Sequence, residues 1–318
     1  MAVEVVLIKD GSPDFVNPES GIIAFLIESI ANGKAESMLR RMRTTSSMRK
    51  ALPLILSAPC VVFLIIVFLG PLIYVVVLSL YGPGITFQNY ARIFDSPVYL
   101  RVLWNTFQTA LTVTLVCLAL GYPLAYVIAR RSDWFATCLL AIVVVSFWTG
   151  FVVRTYAWLI ILGNRGPVAD FYHWLGLTPP QLLFTTFSST LGMVHILLPF
   201  MVLALLSVMK KIDPLHLRAA GSLGAPPFTA FRLIYLPLSL AGVVNGSILV
   251  FTFALGFYIT PILLGSPRDL MLSQLINQQI EEVLNWGFAS ALSVVLLTAT
   301  LVILAMGNKI FGLDRLWG

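Results

Sequence analysis

Cysteine and histidine have the widest chemical range of any residues in this sequence, and each occurs three times. Cys60, Cys117 and Cys138 stand singly in apolar stretches without metal-ligand spacing, which reads as packing. His173, His195 and His216 fall in three separate regions and share no site. His195 lies inside an apolar stretch and reads as a hydrogen-bonded interior residue in preference to the lining of a conduit. The one Gly-Lys pair, Gly33-Lys34, is followed by Ala and lacks the earlier Gly that a phosphate-cradling loop needs. No catalytic constellation emerges, so the chain reads as no enzyme and as holding no metal or cofactor of its own. What remains is the chemistry of contact and passage.

The elements that carry these residues follow from composition. Of 318 residues 58% are hydrophobic and 11% charged, and 14 acids with 20 bases could not solvate a 35 kDa globule. Disordered, collagen-like and disulfide-scaffold classes are excluded by the same figures. Crossing a bilayer takes about 20 apolar residues in a helix, against about 10 alternating ones in a barrel strand. The long Leu/Val/Ile runs predict six transmembrane helices near 51–80, 103–129, 135–162, 187–209, 238–264 and 287–307. The fold class is all-α and polytopic.

Charge sets the expected orientation. With the N-terminus inside, seven bases fall in the N-terminal arm, two after the second span, four after the fourth and two in the tail. Only five remain outside, so the positive-inside rule places both termini in the cytoplasm. The net charge of +6 then reflects topology and contact with anionic lipid, with no nucleic acid implied. Residues 1–49 form a separate cytoplasmic arm in which Ile22, Ile23, Leu26, Ile27 and Ile30 recur at helical spacing. An amphipathic helix on the membrane surface and an unstructured arm are both compatible with that pattern. Residues 50–318 form the membrane domain.

Asp and Glu are absent from the middle of every span. Ion-coupled carriers generally need an intramembrane carboxylate and often show repeated broken halves. Neither is evident, so the chain reads as a conduit driven from elsewhere.

The loop at 210–237 is the most informative segment. Asp213 is a good N-cap with Pro214 behind it, Gly221 and Gly224 can end a short helix, and Pro226 can start another. The resulting helix–turn–helix offers Leu215, Ala219, Leu223, Phe228 and Phe231 as apolar knobs for a groove on a partner. Ala219-Ala220, Gly224 and Ile234-Tyr235-Leu236-Pro237, at their spacing here, resemble the EAA loop of binding-protein-dependent ABC importer permeases. One departure is plain: Arg218 stands where that family carries Glu. Asn89-Tyr90 with Trp104-Asn105-Thr106 is similar to the family's lead-in to the second span, and Gly121-Tyr122-Pro123 to its mid-span break. Arg154-Thr155-Tyr156-Ala157-Trp158, Pro199-Phe200-Met201, Thr260-Pro261-Ile262-Leu263-Leu264-Gly265 and Asn285-Trp286 resemble the spermidine/putrescine-type permeases in particular.

The resemblance implies a type I ABC importer permease with a cytoplasmic coupling-helix loop. It implies a dimer of cytoplasmic ABC ATPases holding ATP and Mg, a second permease that is commonly a different chain, and a periplasmic or extracellular solute-binding protein. Leu215, Arg218, Ala219, Ala220, Gly224 and Phe228 would then form the ATPase-coupling surface. Gly256 and Pro261 can break the fifth span, and unwound backbone in a membrane lines a cavity or packs on protein. Trp148, Arg154, Tyr156, Phe257 and Tyr258 are the candidates for the substrate path, with lipid-facing anchorage the competing role for each aromatic. Arg154 is expected to snorkel outward or bond a helix end. The resemblance implies a polyamine as the solute, and aromatics that can hold a cation fit it. Another small organic solute or a metal ion is the alternative, and a polytopic enzyme or assembly factor the rival class.

Overall fold

The computed structural model describes Ser57, residues 59–81 and residues 86–311. The N-terminal arm lies outside the described residues. The chain divides into two compact units, Met1–Leu72 and Ile73–Gly318. The described part of the first is helical and opens α1 (Pro59–Ser79), which continues into the second.

In the second unit the described residues form helices and no strand. They are α2 (Gln88–Asp95), α3 (Pro97–Arg130), α4 (Trp134–Trp148), α5 (Phe151–Ile161), α6 (Pro167–Trp174) and α7 (Thr186–Met209). Then follow α8 (Leu215–Ser222), α9 (Pro227–Gly256), α10 (Ile259–Leu264), α11 (Leu272–Glu281) and α12 (Trp286–Phe311). Among the described residues five helices, α1, α3, α7, α9 and α12, are long and apolar enough to cross a membrane.

The third expected span is not one helix. It breaks at Thr149-Gly150 into α4 and α5, bent by 101°. Fifteen residues of α4 rise about 22 Å, short of the roughly 30 Å hydrocarbon core. Length and hydropathy register the sum of two limbs and are blind to the angle between them. The pair still returns the chain across the bundle, because α3 and α7 run parallel. Asn105 and Thr186 line one cavity, Cys117 Sγ reaches Val194 O at 3.7 Å, and a Cβ on Gly121 would meet Met201. Two parallel neighbours need one crossing between them, so the bent pair supplies the sixth passage.

Two other expectations need correction. The Gly121-Tyr122-Pro123 segment does not interrupt the second span: α3 runs unbroken through Pro123 to Arg130. Gly121 is buried there against Met201 and Val202, so the glycine serves close packing. The fifth span starts at Pro227, eleven residues before the expected 238, and contains a π turn at Phe231–Tyr235. Leu236 N–H donates five residues back to Phe231 O. The wider turn lies just ahead of Pro237, whose ring would press on the Leu233 carbonyl of a regular helix.

The core sits where α3, α7 and α9 meet. Ala110, Val113, Cys117 and Ala125 face Met193, Leu197, Met201, Val202 and Leu205, with Val250, Ala254 and Leu255 closing the third side. Small residues let the backbones approach, as membrane helices require when lipid gives no hydrophobic drive. A Cβ on Gly246 would lie 2.8 Å from Met201 Sδ, and one on Gly192 2.7 Å from Leu264 and Thr260. A second cluster, Ile93, Val102, Leu272, Leu275, Phe288 and Leu292, ties α2, α11 and α12 to the start of α3.

Candidate functional site

The expected loop forms at one end of this core. Leu215 N–H donates to Asp213 Oδ1 at 2.8 Å, so Asp213 caps α8 although the helix begins one residue later than expected. The helix ends in a left-handed residue, Gly224, with φ +82°. Ala225 N–H donates to Ala220 O and Gly224 N–H to Gly221 O, the two bonds of a Schellman cap. No atom would meet a Cβ on Gly224 within 4 Å, so its backbone angle alone demands glycine. Pro226, extended, then leads into Pro227 at the start of α9.

This geometry sorts the predicted coupling residues. Leu215, Arg218, Ala219, Gly224 and Phe228 are exposed, as is Leu223 at 89%. Arg218 has no side-chain partner among the described residues. Ala220 is only 7% exposed and faces into the chain. Phe231 also turns inward, against expectation. Its ring joins Tyr122, Tyr126 and Tyr235, with Tyr126 and Tyr235 edge-to-face at 4.9 Å. Tyr122 also hydrogen-bonds Ser239 at 2.8 Å. An aromatic stack thus links the loop to α3, with Phe231 and Tyr235 at the two ends of the π turn.

The predicted path residues occupy two breaks. Arg154 Nη2 donates to Thr149 O at 2.8 Å and Nη1 to Ser146 Oγ at 3.5 Å, so the guanidinium bonds the carbonyl end of α4 across the bend. Trp148 is 87% exposed beside it and Tyr156 is exposed on α5. At the second break α9 ends at Gly256, and Phe257 is extended. Ser273 Oγ donates to Phe257 O at 2.7 Å, satisfying a carbonyl the helix gives up. Phe257 packs against the main core and Tyr258 is exposed. A hydroxyl pair, Thr155 with Thr260 at 3.0 Å, brings the two breaks together. His195 accepts the Trp158 indole N–H at 3.0 Å on Nδ1, a hydrogen-bonded residue, although exposed.

A third feature escaped the sequence reading. Asn105, Gln108, Thr109 and Thr112 of α3, Thr186 and Thr190 of α7, and Asp269 line one cavity of about 180 Å³. None of the five predicted path residues belongs to it. The pattern was present in the sequence: 105, 108, 109 and 112 are polar at the spacing of one helix face inside an apolar span. Nothing in the local sequence of Asp269 reveals that the Pro267–Asp269 turn folds back onto α3 and α7. Asn105 Nδ2 holds that turn through Arg268 O at 3.2 Å, and Thr186 Oγ1 donates to Asp269 Oδ2 at 2.5 Å. The cavity stands at the start of α7, some 36 Å along the helix from the α8 loop.

Residues 121–308 match the family described as binding-protein-dependent transport system inner membrane component. The spermidine/putrescine transport system permease protein PotB of Salmonella typhimurium strain LT2 is 38% identical over 213 residues, covering 66% of this chain and 74% of that one. PotB of Haemophilus influenzae is 33% identical over 237 residues, 73% and 82% of the two chains. The molybdenum transport system permease protein ModB of Mycobacterium bovis is 27% identical over 227 residues, 71% and 85% of the two chains. Among solved structures, a bacterial alginate ABC transporter in complex with alginate pentasaccharide-bound periplasmic protein aligns with TM-score 0.70 at 19% identity, covering 83% of this chain and 96% of that one. The inward-facing MetNI methionine ABC transporter aligns with TM-score 0.52 at 17% identity, covering 66% and 93%.

Proposed function

We infer that this chain, which belongs to the binding-protein-dependent transport system inner membrane components, is a permease subunit of an ATP-driven polyamine importer. The observation that carries the substrate class is the 38% identity with a spermidine/putrescine permease over two thirds of the chain. The chain is a multi-pass inner-membrane protein. Its α8 loop faces the cytoplasm, where an exposed apolar surface around Leu215, Leu223 and Phe228 suits a groove on an ATPase.

The mechanism follows from what the chain has and lacks. It supplies half of a path, which a second permease completes. A solute-binding protein delivers substrate to the end opposite the loop. ATP and Mg act on the ATPase dimer, whose closed form nucleotide favours because it binds that form better. The rigid Schellman-capped turn converts that closure into movement of α8, and the Phe231–Tyr235 stack passes it to α3 and α9. The breaks at Thr149-Gly150 and Phe257-Tyr258 are places where helices can move without losing backbone hydrogen bonds.

Uptake of labelled putrescine or spermidine by cells is expected to require this chain together with its ATPase. A reconstituted complex with the matched binding protein should show polyamine-stimulated ATP hydrolysis. Stimulation by molybdate or another solute class, with none by polyamines, would overturn the substrate assignment while leaving the permease role intact.

A further inference from the structure

We propose that the cavity between α3, α7 and the Pro267–Asp269 turn is a binding station for a primary ammonium group of the substrate, with Asp269 as its counter-charge. The proposal rests on the polyamine reading above and assigns that substrate a place on this chain.

The lining decides the charge of the ligand. One carboxylate residue, Asp269, two amide residues, Asn105 and Gln108, and four threonines, Thr109, Thr112, Thr186 and Thr190, line the space, with no Lys, Arg or His among them. Asp269 accepts one hydrogen bond, from Thr186, and pairs with no base: Arg131–Asp133 is the sole ion pair among the described residues. A carboxylate that no base neutralises leaves its negative charge open to an arriving cation. An anion would meet the same carboxylate as repulsion. Gln108, Thr109 and Thr190 make no side-chain hydrogen bond among the described residues, so their oxygens are available. An ammonium has three N–H donors and no acceptor, and a carboxylate with amide and hydroxyl oxygens satisfies all three.

Shape and support agree. At about 180 Å³ the cavity is below the roughly 300–1,000 Å³ of drug-sized sites and suits one end of a linear amine. The acid is also held in place. Ser266 Oγ caps the turn through Arg268 N–H at 3.2 Å, and Asn105 bonds the Arg268 carbonyl. Leu272 N–H, just past the turn, donates to the buried Thr106 hydroxyl of α3 at 2.8 Å. The position at the end opposite the α8 loop is where a delivered solute arrives.

The test uses the complete transporter with its ATPase, second permease and polyamine-loaded binding protein, reconstituted in vesicles. Asp269→Asn keeps the shape and the Thr186 contact and removes the charge. It is expected to lower putrescine uptake by about tenfold or more, the scale of losing one charged hydrogen-bonded contact. Asp269→Glu should recover most of the uptake, and Gln108→Leu should weaken it at subsaturating loaded binding protein. All three complexes should co-purify intact with unchanged thermal stability. Wild-type uptake in Asp269→Asn overturns the proposal. So does an equal loss in Asp269→Asn and Asp269→Glu accompanied by a fall in thermal stability, which would make the acid structural. A wild-type transporter that carries no polyamine fails one step earlier, and the ammonium station falls with the functional reading.

Discussion

Thr155 and Thr260, both fully buried and 105 positions apart, share a hydroxyl–hydroxyl hydrogen bond of 3.0 Å that fastens α5 to α10. The direction of the bond is set by a second contact. Thr155 Oγ1 already donates to Phe151 O at 2.9 Å, so Thr260 is the donor between the pair. Two segments that each begin after a break in a membrane helix are therefore joined by one polar contact.

Removing the two hydroxyls should have unequal effects. Thr155→Val strands the buried Thr260 donor and is expected to cost about 1–3 kcal/mol. Thr260→Val leaves Thr155 bonded to Phe151 and should cost about 1 kcal/mol. The double valine variant should lie closer to wild type than Thr155→Val alone. Thermal unfolding of the purified complex measures all three, and a Thr260→Val that is the worse of the two would contradict the donor assignment.

Gly224→Val should leave the protein in the membrane at normal level but without its ATPase, and transport should be lost. A β-branched residue at φ +82° costs about 1–3 kcal/mol of strain and would reshape the turn that presents Leu223 and Phe228. Gly224→Asn, which tolerates that region better, should retain much of the activity. Co-purification with the ATPase and uptake are the readouts. Full assembly in the valine variant would remove the turn from the coupling surface.

Arg218 is exposed and unpaired among the described residues, so its charge is open to an acidic group on the ATPase. Arg218→Glu is expected to weaken co-purification, and a compensating reversal on the ATPase should restore it. An effect no larger than the ~1 kcal/mol of an exposed pair would show a solvated arginine without a partner.

Gly246→Leu should destabilise the bundle by several kcal/mol or prevent assembly. Its Cβ would lie 2.8 Å from Met201 Sδ and 3.3 Å from Ala204 Cβ, where α9 crosses α7, and overpacking costs roughly 1–3 kcal/mol even for smaller insertions. Gly246→Ala paired with Met201→Leu should recover part of the loss, read as melting temperature in one detergent.

Single cysteines placed between Gly163 and Gly176 should react with impermeant reagent from outside the cell, and those between Lys210 and Arg232 only from inside. The fifteen-to-five distribution of bases motivates this orientation. A reversed pattern at either loop would overturn it.

Local rules made the long helices and the α8 loop legible in the sequence. Apolar length marks α3, α7, α9 and α12 because a bilayer imposes it, and Asp213, Gly224 and Pro226 mark the loop because capping and positive φ act within a few residues. The polar face of Asn105, Gln108, Thr109 and Thr112 was legible too, as a helical spacing, but without a partner it had no meaning. Tertiary structure decided the rest. The 101° bend is invisible to hydropathy, which sums residues and ignores direction. Gly121 and Pro123 do not break α3, and Gly121 packs closely on α7. Ala220 and Phe231 turn inward, a rotation about the helix axis that depends on what the loop packs against. Asp269 becomes part of a cavity only because a three-residue turn, 83 positions after Thr186, folds back to meet it. A contact between distant segments depends on how whole helices pack, and no window of sequence contains that information.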